Sequence, residues 1–351
     1  MQNRVLICVI SPWTSVKNGQ ITAASFSTYV RLVDRLRDYI GSRVRYEFIN
    51  ALDENYLRSL IHSGKFNTLL IQRNAIKNID LVNDIINLKI KVIYEIDDDL
   101  VVLGKNSLIN DSYYDCHVVI EKLLSYASIV TVSTDVLKSR FSSYNSNIVI
   151  VPNVINMKRW CSPSREYYVF ENIKSTNFNV LYMGTNTHLE DLGILEKVVK
   201  QIKKDYPKFN LYVVGVTNIN SDWYSVINIP KQCKHYPEFV KFIKALAKHM
   251  HLGVAPLEDG YFQQAKSCLK FLEYSALGLP SICSNVTPYK EVVKHGENGL
   301  LADNTTQSWI EQFEFVINNK QLVLNLSTLA YRQIIGMENE NSFDFLVGFY
   351  E

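Results

Sequence analysis

The chain has 351 residues, 47% hydrophobic and 21% charged, with a formal net charge of +2. That length suits two domains of ordinary size, and the near-neutral balance gives no electrostatic reason to expect a nucleic-acid partner. No apolar run approaches the ~18 residues a transmembrane helix needs, and Met1–Ile10 reads as a strand rather than a secretion signal.

In chain order, the first half alternates strand-like runs with helical patterns. The runs are Arg4–Ile10, Val44–Ile49, Thr68–Gln72, Lys91–Ile96, Ser128–Ser133 and Asn147–Val151. The helical patterns are Ser25–Tyr39, Asp53–Ser63, Asp80–Leu88, Tyr114–Tyr126 and Thr134–Tyr144. Such alternation implies βαβ units and a parallel sheet. Pro152 and Asn153 end the last run, and Asn156–Tyr168 loses periodicity, which places a linker there. The second half resumes with strands Phe178–Met183, Phe209–Gly215, His251–Ala255 and Pro280–Ser284. Helices are expected at Leu192–Lys204, Pro237–His249, Ser267–Leu277 and Thr306–Met337, with a helical turn at Tyr289–Lys294 and a tight loop at 296–299. The expected domains are residues 1–156, a linker 157–176, a second domain 177–335, and an apolar tail 336–351 that docks back. Both domains read as doubly wound α/β folds facing a central cleft, with ligands at the carboxyl ends of the strands.

Six cysteines, at 8, 116, 161, 233, 268 and 283, show neither CxxC nor zinc-like spacing. Cys8 and Cys283 sit in strand-like runs and read as core residues in a reducing, cytoplasmic compartment.

The stretch Ala255–Pro280, APLEDGYFQQAKSCLKFLEYSALGLP, carries the most chemistry. Ser267 is placed to cap a helix that Gly278 and Pro280 end. Lys266, Lys270 and Glu273 fall at i, i+4 and i+7 on one side, while Leu269, Leu272 and Ala276 share another that faces a core. Two lysines at a helix N-terminus suit a diphosphate, and a glutamate two turns on can accept from sugar hydroxyls. The competing reading is an exposed Lys270–Glu273 ion pair worth about 0.2–0.5 kcal/mol. Gly184 and Thr185 follow the first strand of the second domain, where a glycine lets a phosphate approach the backbone or simply makes the turn.

Over His251–Ala302, HLGVAPLEDGYFQQAKSCLKFLEYSALGLPSICSNVTPYKEVVKHGENGLLA, the sequence resembles the donor-binding segment of GT-B glycosyltransferases of glycosyltransferase family 4. Val151-Pro152-Asn153 and the turn at Gly184 extend the resemblance more loosely. Two departures stand out. Counting back eight residues from Glu273, where the family usually has a second glutamate, lands on Ala265. The family's Arg-and-Lys pair after the strand ending at Met183 is replaced by Gly184-Thr185-Asn186-Thr187-His188. Lys-Ser-x-x-Lys-x-x-Glu is similar to a branch that builds bacterial surface polysaccharides. The resemblance implies a metal-independent, retaining transfer from a nucleotide-sugar to a saccharide or lipid-linked acceptor, with no cofactor. It also implies donor contacts from Gly184, Thr185, Lys266, Ser267, Lys270 and Glu273, with Glu273 on the ribose and Lys270 in a catalytic role.

In the first domain Glu95-Ile96-Asp97-Asp98-Asp99 closes a strand. It reads as a metal-binding Asp-x-Asp, as a capping or solvating loop, or as acceptor-side chemistry at the place where the family often has a histidine. The last reading singles out Asp98 as catalytic, with Asp97 beside it. Asn18, Gly19 and Arg73 are further acceptor-side candidates, and His117 and His188 read as polar site residues or as structural histidines. Arg31, Arg35, Arg37, Arg43 and Arg45 form either a solvated face or a basic patch for peripheral contact with the cytoplasmic membrane face. A catalytically silent nucleotide-sugar-binding protein and an epimerase-like or phosphorylase-like relative remain alternatives.

Overall fold

The computed structural model describes residues 5–17, 20–36, 44–49, 53–105, 116–161, 168–171 and 173–337. Asn18, Gly19, Arg37, Arg43 and the tail beyond Met337 lie outside the described residues. The chain divides into two units. Among the described residues, one takes the chain through Asn153 together with Ala265–Ser267, and the other takes Val154–Gln264 and Cys268 to Met337.

The first unit is built on a parallel sheet of six strands: β1 (Val5–Ile10), β4 (Val44–Phe48), β5 (Thr68–Gln72), β6 (Lys91–Ile96), β7 (Ile129–Val132) and β8 (Ile148–Ile150). Their order is β4-β1-β5-β6-β7-β8. Strands such as Thr68-Leu-Leu-Ile-Gln72, buried at every position, are what a sheet covered on both faces requires. Helices Glu54–His62, Ile79–Asn87 and Asp135–Phe141 begin at Asp53, Asn78 and Thr134, whose side chains accept from N–H groups of the first turn. A small antiparallel hairpin, β2 (Ser15–Lys17) with β3 (Gln20–Ala23), and a helix Leu100–Lys105 were not apparent from periodicity because each is too short to show one. The expected helix Ser25–Tyr39 forms as far as Leu36, but Tyr29–Val33 is a π-helical turn.

That turn corrects the reading of the basic region. Arg31 is fully buried, with Nε 2.7 Å from Glu95 Oε1 and Nη1 donating to the Val151 carbonyl and, at 3.0 Å, to Asn153 Oδ1. Gln72 Nε2 donates to Glu95 Oε2 at 2.7 Å, and Thr28 Oγ1 donates to Gln72 Oε1 at 3.0 Å. Arg35 donates to the Pro152 carbonyl. Two of the arginines therefore tie the helix to the sheet's last strand instead of facing solvent. Burial pushes the Glu95 carboxyl up and the Arg31 charge opposes it. Removing either partner leaves the other buried without its counter-charge. Arg31→Leu and Glu95→Leu should each cost about 3–5 kcal/mol in urea unfolding, and the double substitution less than their sum.

The second unit repeats the plan. Its strands are β9 (Phe178–Met183), β10 (Phe209–Val214), β11 (Ser225–Val226), β12 (Leu252–Ala255), β13 (Ser281–Ser284) and β14 (Leu300–Ala302). All are parallel, in the order β11-β10-β9-β12-β13-β14. The two edge strands, of two and three residues, were not expected. The core joins strand residues Val180, Tyr182, Val213, Val254 and Ile282 to Trp309 and Phe313 of the helix Thr306–Asn318. The stretch expected as linker starts with a helix, Met157–Cys161, whose buried Trp160 donates from Nε1 to the Tyr236 hydroxyl at 3.2 Å. Pro288 in its first turn starts a short helix at Thr287, two residues ahead of the expected turn. Among the described residues no helix is long and apolar enough to cross a membrane.

Candidate functional site

In the second unit the chain runs outward from β9 through β10 to β11, then returns to the other side of β9 with β12. The carboxyl ends of β9 and β12 therefore flank the point where strand order reverses, the place such sheets use for ligands. These two strands pair over only Val180–Leu252 and Leu181–Gly253 before separating. The separation frees backbone groups that Tyr274 satisfies. Its fully buried hydroxyl accepts from the Met183 N–H at 3.2 Å and lies 2.9 Å from the Val254 carbonyl and 3.2 Å from the Leu181 carbonyl.

Tyr274 belongs to the helix Leu269–Ala276, so this hydroxyl fixes the helix against both strands. Gly253 makes the approach possible, since a methyl group at that position would overlap the Tyr274 ring. Phe271, Leu272, Tyr274 and Ser275 are buried. Lys270 and Glu273 are only partly buried and remain for the site.

Across from the helix, the turn after β9 supplies Gly184, the exposed Thr185 and a 3₁₀ turn Asn186–His188. A Cβ on Gly184 would press on Val216 Cγ2 at 3.2 Å and His188 Cδ2 at 3.3 Å, so local packing by itself calls for glycine. His188 Nδ1 lies 2.6 Å from Asp191 Oδ2, and His188 Nε2 lies 3.0 Å from Lys270 Nζ. Asp191 Oδ1 accepts from the Glu258 N–H at 2.9 Å, which links the turn after β9 to the loop after β12. That loop is braced further by Leu257 N donating to Ser284 Oγ and Asn304 Nδ2 donating to the Leu257 carbonyl, both at 2.8 Å. Burial alone would raise the Asp191 carboxyl. The His188 hydrogen bond, the Glu258 N–H and the Lys270 charge outweigh it and hold the group below the usual carboxylate range.

Glu273 is the opposite case. Burial pushes its carboxyl up to about 7, with the Lys270 charge opposing. Among the described residues its side chain has no hydrogen-bond partner, and no ion pair joins it to Lys270, so the simple i, i+3 surface pair is not formed. Lys270 is directed to His188 instead.

Lys266 and Ser267 precede the helix. The segment Ala265–Ser267 groups with the first unit. There Thr134 Oγ1 donates to the Ala265 carbonyl at 3.1 Å, Asn153 Nδ2 donates to Ser267 Oγ at 2.7 Å, and Lys266 Nζ lies 3.8 Å from Asp98 Oδ1. Ser267 does not cap the helix. The cap position is Cys268, with no side-chain cap bond, because the serine hydroxyl is already engaged by Asn153.

Asp97, Asp98 and Arg73 come together in the first unit. Arg73 Nη1 donates to Asp97 and, at 2.8 Å, to Asp98 Oδ2, while Ser27 Oγ donates to Asp97 Oδ2 at 2.8 Å. Asp99 turns away to Arg140 at 3.0 Å. Trp13, 68% exposed, and Arg73 both take left-handed backbone with φ of 58° and 51° just past β1 and β5, the adjacent strands where this sheet reverses its order. Among the described residues no group of three or more His, Cys, Asp or Glu is arranged to hold a metal ion. His117 opens the helix His117–Tyr126, outside these groups. Asp191, Tyr274 and Trp13 were not singled out by sequence; the spacing His188-x-x-Asp191 at a strand end was the one available signal.

Residues 177–319 match the family model described as "Glycosyl transferases group 1", a span that takes in every strand of the second unit. The fold is GT-B. Sucrose-phosphate synthase from Thermosynechococcus elongatus superposes with a TM-score of 0.64 at 14% identity over 98% of each chain. Anabaena HepE, in complex with UDP and glucose, gives 0.66 at 11% identity over 98% of this chain and 100% of its own. An "Uncharacterized glycosyltransferase" of Haemophilus influenzae is 27% identical over 157 residues, 44% of this chain and 43% of that protein, so the match spans less than half the length of the curated relative. The family model supports the group 1 reading over residues 177–319, and the structural neighbours show the fold.

Two outcomes follow for the site. Tyr274→Phe removes the hydroxyl that satisfies Met183 N–H and a strand carbonyl, and should cost about 1–3 kcal/mol in urea unfolding. The raised Glu273 carboxyl means that the folded state holds this proton more tightly than the unfolded chain. Its effect on stability is absent near pH 4, grows unfavourable as pH rises, and is complete above about 7. Glu273→Gln should therefore leave Tm unchanged at pH 4 and raise it at pH 8.

Proposed function

We propose that this chain is a glycosyltransferase that moves a sugar from a nucleoside-diphosphate donor to a saccharide or lipid-linked saccharide acceptor. The observation that carries the reading is the pair Lys270 and Glu273. They stand one helical turn apart beside the reversal point of β9 and β12, inside the stretch that matches the group 1 family model. Departure of a sugar from its nucleotide places negative charge on the leaving phosphate, and a cation aimed at that oxygen stabilises it. Lys270 supplies the cation. Glu273, whose side chain has no partner among the described residues, accepts from the two ribose hydroxyls. Gly184 and Thr185 form the opposite wall for the diphosphate.

Lys266 and Ser267 complete the donor contacts in this proposal. Asp98, backed by Arg73 and Asp97, serves the acceptor hydroxyl or the charged transition state, with Asn18 and Gly19 on the acceptor side. The transfer proceeds with retention and without a metal ion. The acceptor belongs to bacterial surface-polysaccharide synthesis, carried out in the cytoplasm with peripheral contact to the inner membrane. The resemblance of Lys-Ser-x-x-Lys-x-x-Glu supports that assignment.

A thermal-shift panel of nucleoside diphosphates and their sugars tests the core of the proposal. At least one should raise Tm in the presence of EDTA. Lys270→Ala and Glu273→Ala should each weaken its binding about ten- to a hundredfold, the range of a charge-assisted hydrogen bond. No stabilisation by any nucleotide would refute the donor site, and restoration of activity only by added Mn²⁺ would refute metal independence.

A further inference from the structure

We propose that His188 is a positioning residue that aims the Lys270 ammonium, and that Asp191 sets the histidine tautomer that lets it do so. This rests on the reading of Lys270 as the diphosphate contact.

The argument starts from Asp191, which is buried, with each carboxylate oxygen taken. Oδ1 receives the Glu258 N–H at 2.9 Å and Oδ2 faces His188 Nδ1 at 2.6 Å. A carboxylate can only accept, so the proton of the neutral imidazole lies on Nδ1. Nε2 is then an acceptor, and it lies 3.0 Å from Lys270 Nζ, which can only donate. The opposite tautomer would face two acceptors on one side and two donors on the other. The ring is fixed in position as well. Its Cδ2 packs against Gly184, and the Tyr182 hydroxyl donates to the His188 carbonyl at 3.2 Å. One end of the relay is thus anchored in the backbone of the loop after β12, and the other is a flexible lysine whose four-carbon stem would otherwise sample several rotamers. Among the described residues, the charged groups within hydrogen-bond distance of the ring nitrogens are Asp191 on its own turn and Lys270 on the helix. Pre-setting one rotamer removes an ordering cost from anion binding.

The first test needs no ligand. Long-range ¹H–¹⁵N correlation spectra of the wild-type chain should show His188 protonated on Nδ1 and bare on Nε2. Asp191→Asn should disturb that tautomer, and Lys270→Ala should shift the Nε2 resonance. A wild-type histidine protonated on Nε2, or an Nε2 signal indifferent to Lys270→Ala, would overturn the proposal even if nucleotide binding is confirmed.

The second test is a double-mutant cycle read by calorimetric titration with UDP-glucose. His188→Ala should weaken binding about tenfold in the Lys270 background and have little further effect in Lys270→Ala. Equal losses in both backgrounds would mean that His188 acts independently of Lys270, and would also overturn it. Absence of UDP-glucose binding to the wild-type chain would instead count against this donor, and the spectra would still decide on the relay.

Discussion

The second unit depends on one close approach, that of the helix Leu269–Ala276 to the strands β9 and β12. Parallel strands that part at a reversal point leave N–H and carbonyl groups without ladder partners, and in a buried sheet that costs free energy. The Tyr274 hydroxyl takes up those groups on both strands. Gly253 clears the space for its ring. With that contact made, the helix has one rotational setting, and Lys270 and Glu273 follow from it. The placing of these two side chains therefore follows from how a backbone mismatch is resolved at Tyr274, next to Glu273 on the same helix.

The two polar side chains left at that place are kept in different conditions. Lys270 meets a histidine whose other nitrogen is held by a buried aspartate. Glu273 has no side-chain partner among the described residues, and burial raises its carboxyl to about 7. Such a group lowers stability when ionised, and the proposed ribose contact would give it hydroxyl donors. In the first unit Arg31, Glu95 and Gln72 form a buried network, and through Ser27 it reaches Asp97, which gathers with Arg73 and Asp98 just beyond the strand ends, where the backbone is held in a left-handed conformation at Arg73.

Much of this was legible in the residues. Long apolar runs such as Thr68–Gln72 and Lys91–Ile96 announce buried parallel strands, and both sheets follow from their alternation with helical patterns. The site helix was legible through Lys270 and Glu273, because a period of 3.6 places them beside each other. Ser267 was expected to cap that helix, with Lys266 just before it; the cap falls one residue later, at Cys268. Helical spacing holds only inside a helix, and the chain becomes helical at Leu269, after Asn153 has taken the Ser267 hydroxyl. Arg31 was read as part of an exposed basic region, either a solvated face or a membrane-facing patch, because charge is usually exposed; its partner Glu95 is 64 positions away, and no local pattern reports such a pair. Asp191 was missed for the related reason that its role is defined by the Glu258 N–H on a different loop. Short edge strands such as Ser225–Val226 carry too few residues to show a period at all.

The most direct measurement is a crystal structure of the chain with the nucleoside diphosphate that stabilises it most. The account predicts density beyond the carboxyl ends of β9 and β12, with the diphosphate oxygens on Lys270 Nζ and the ribose hydroxyls on the Glu273 carboxylate. A nucleotide bound elsewhere, touching neither Lys270 Nζ nor the Glu273 carboxylate, would contradict it.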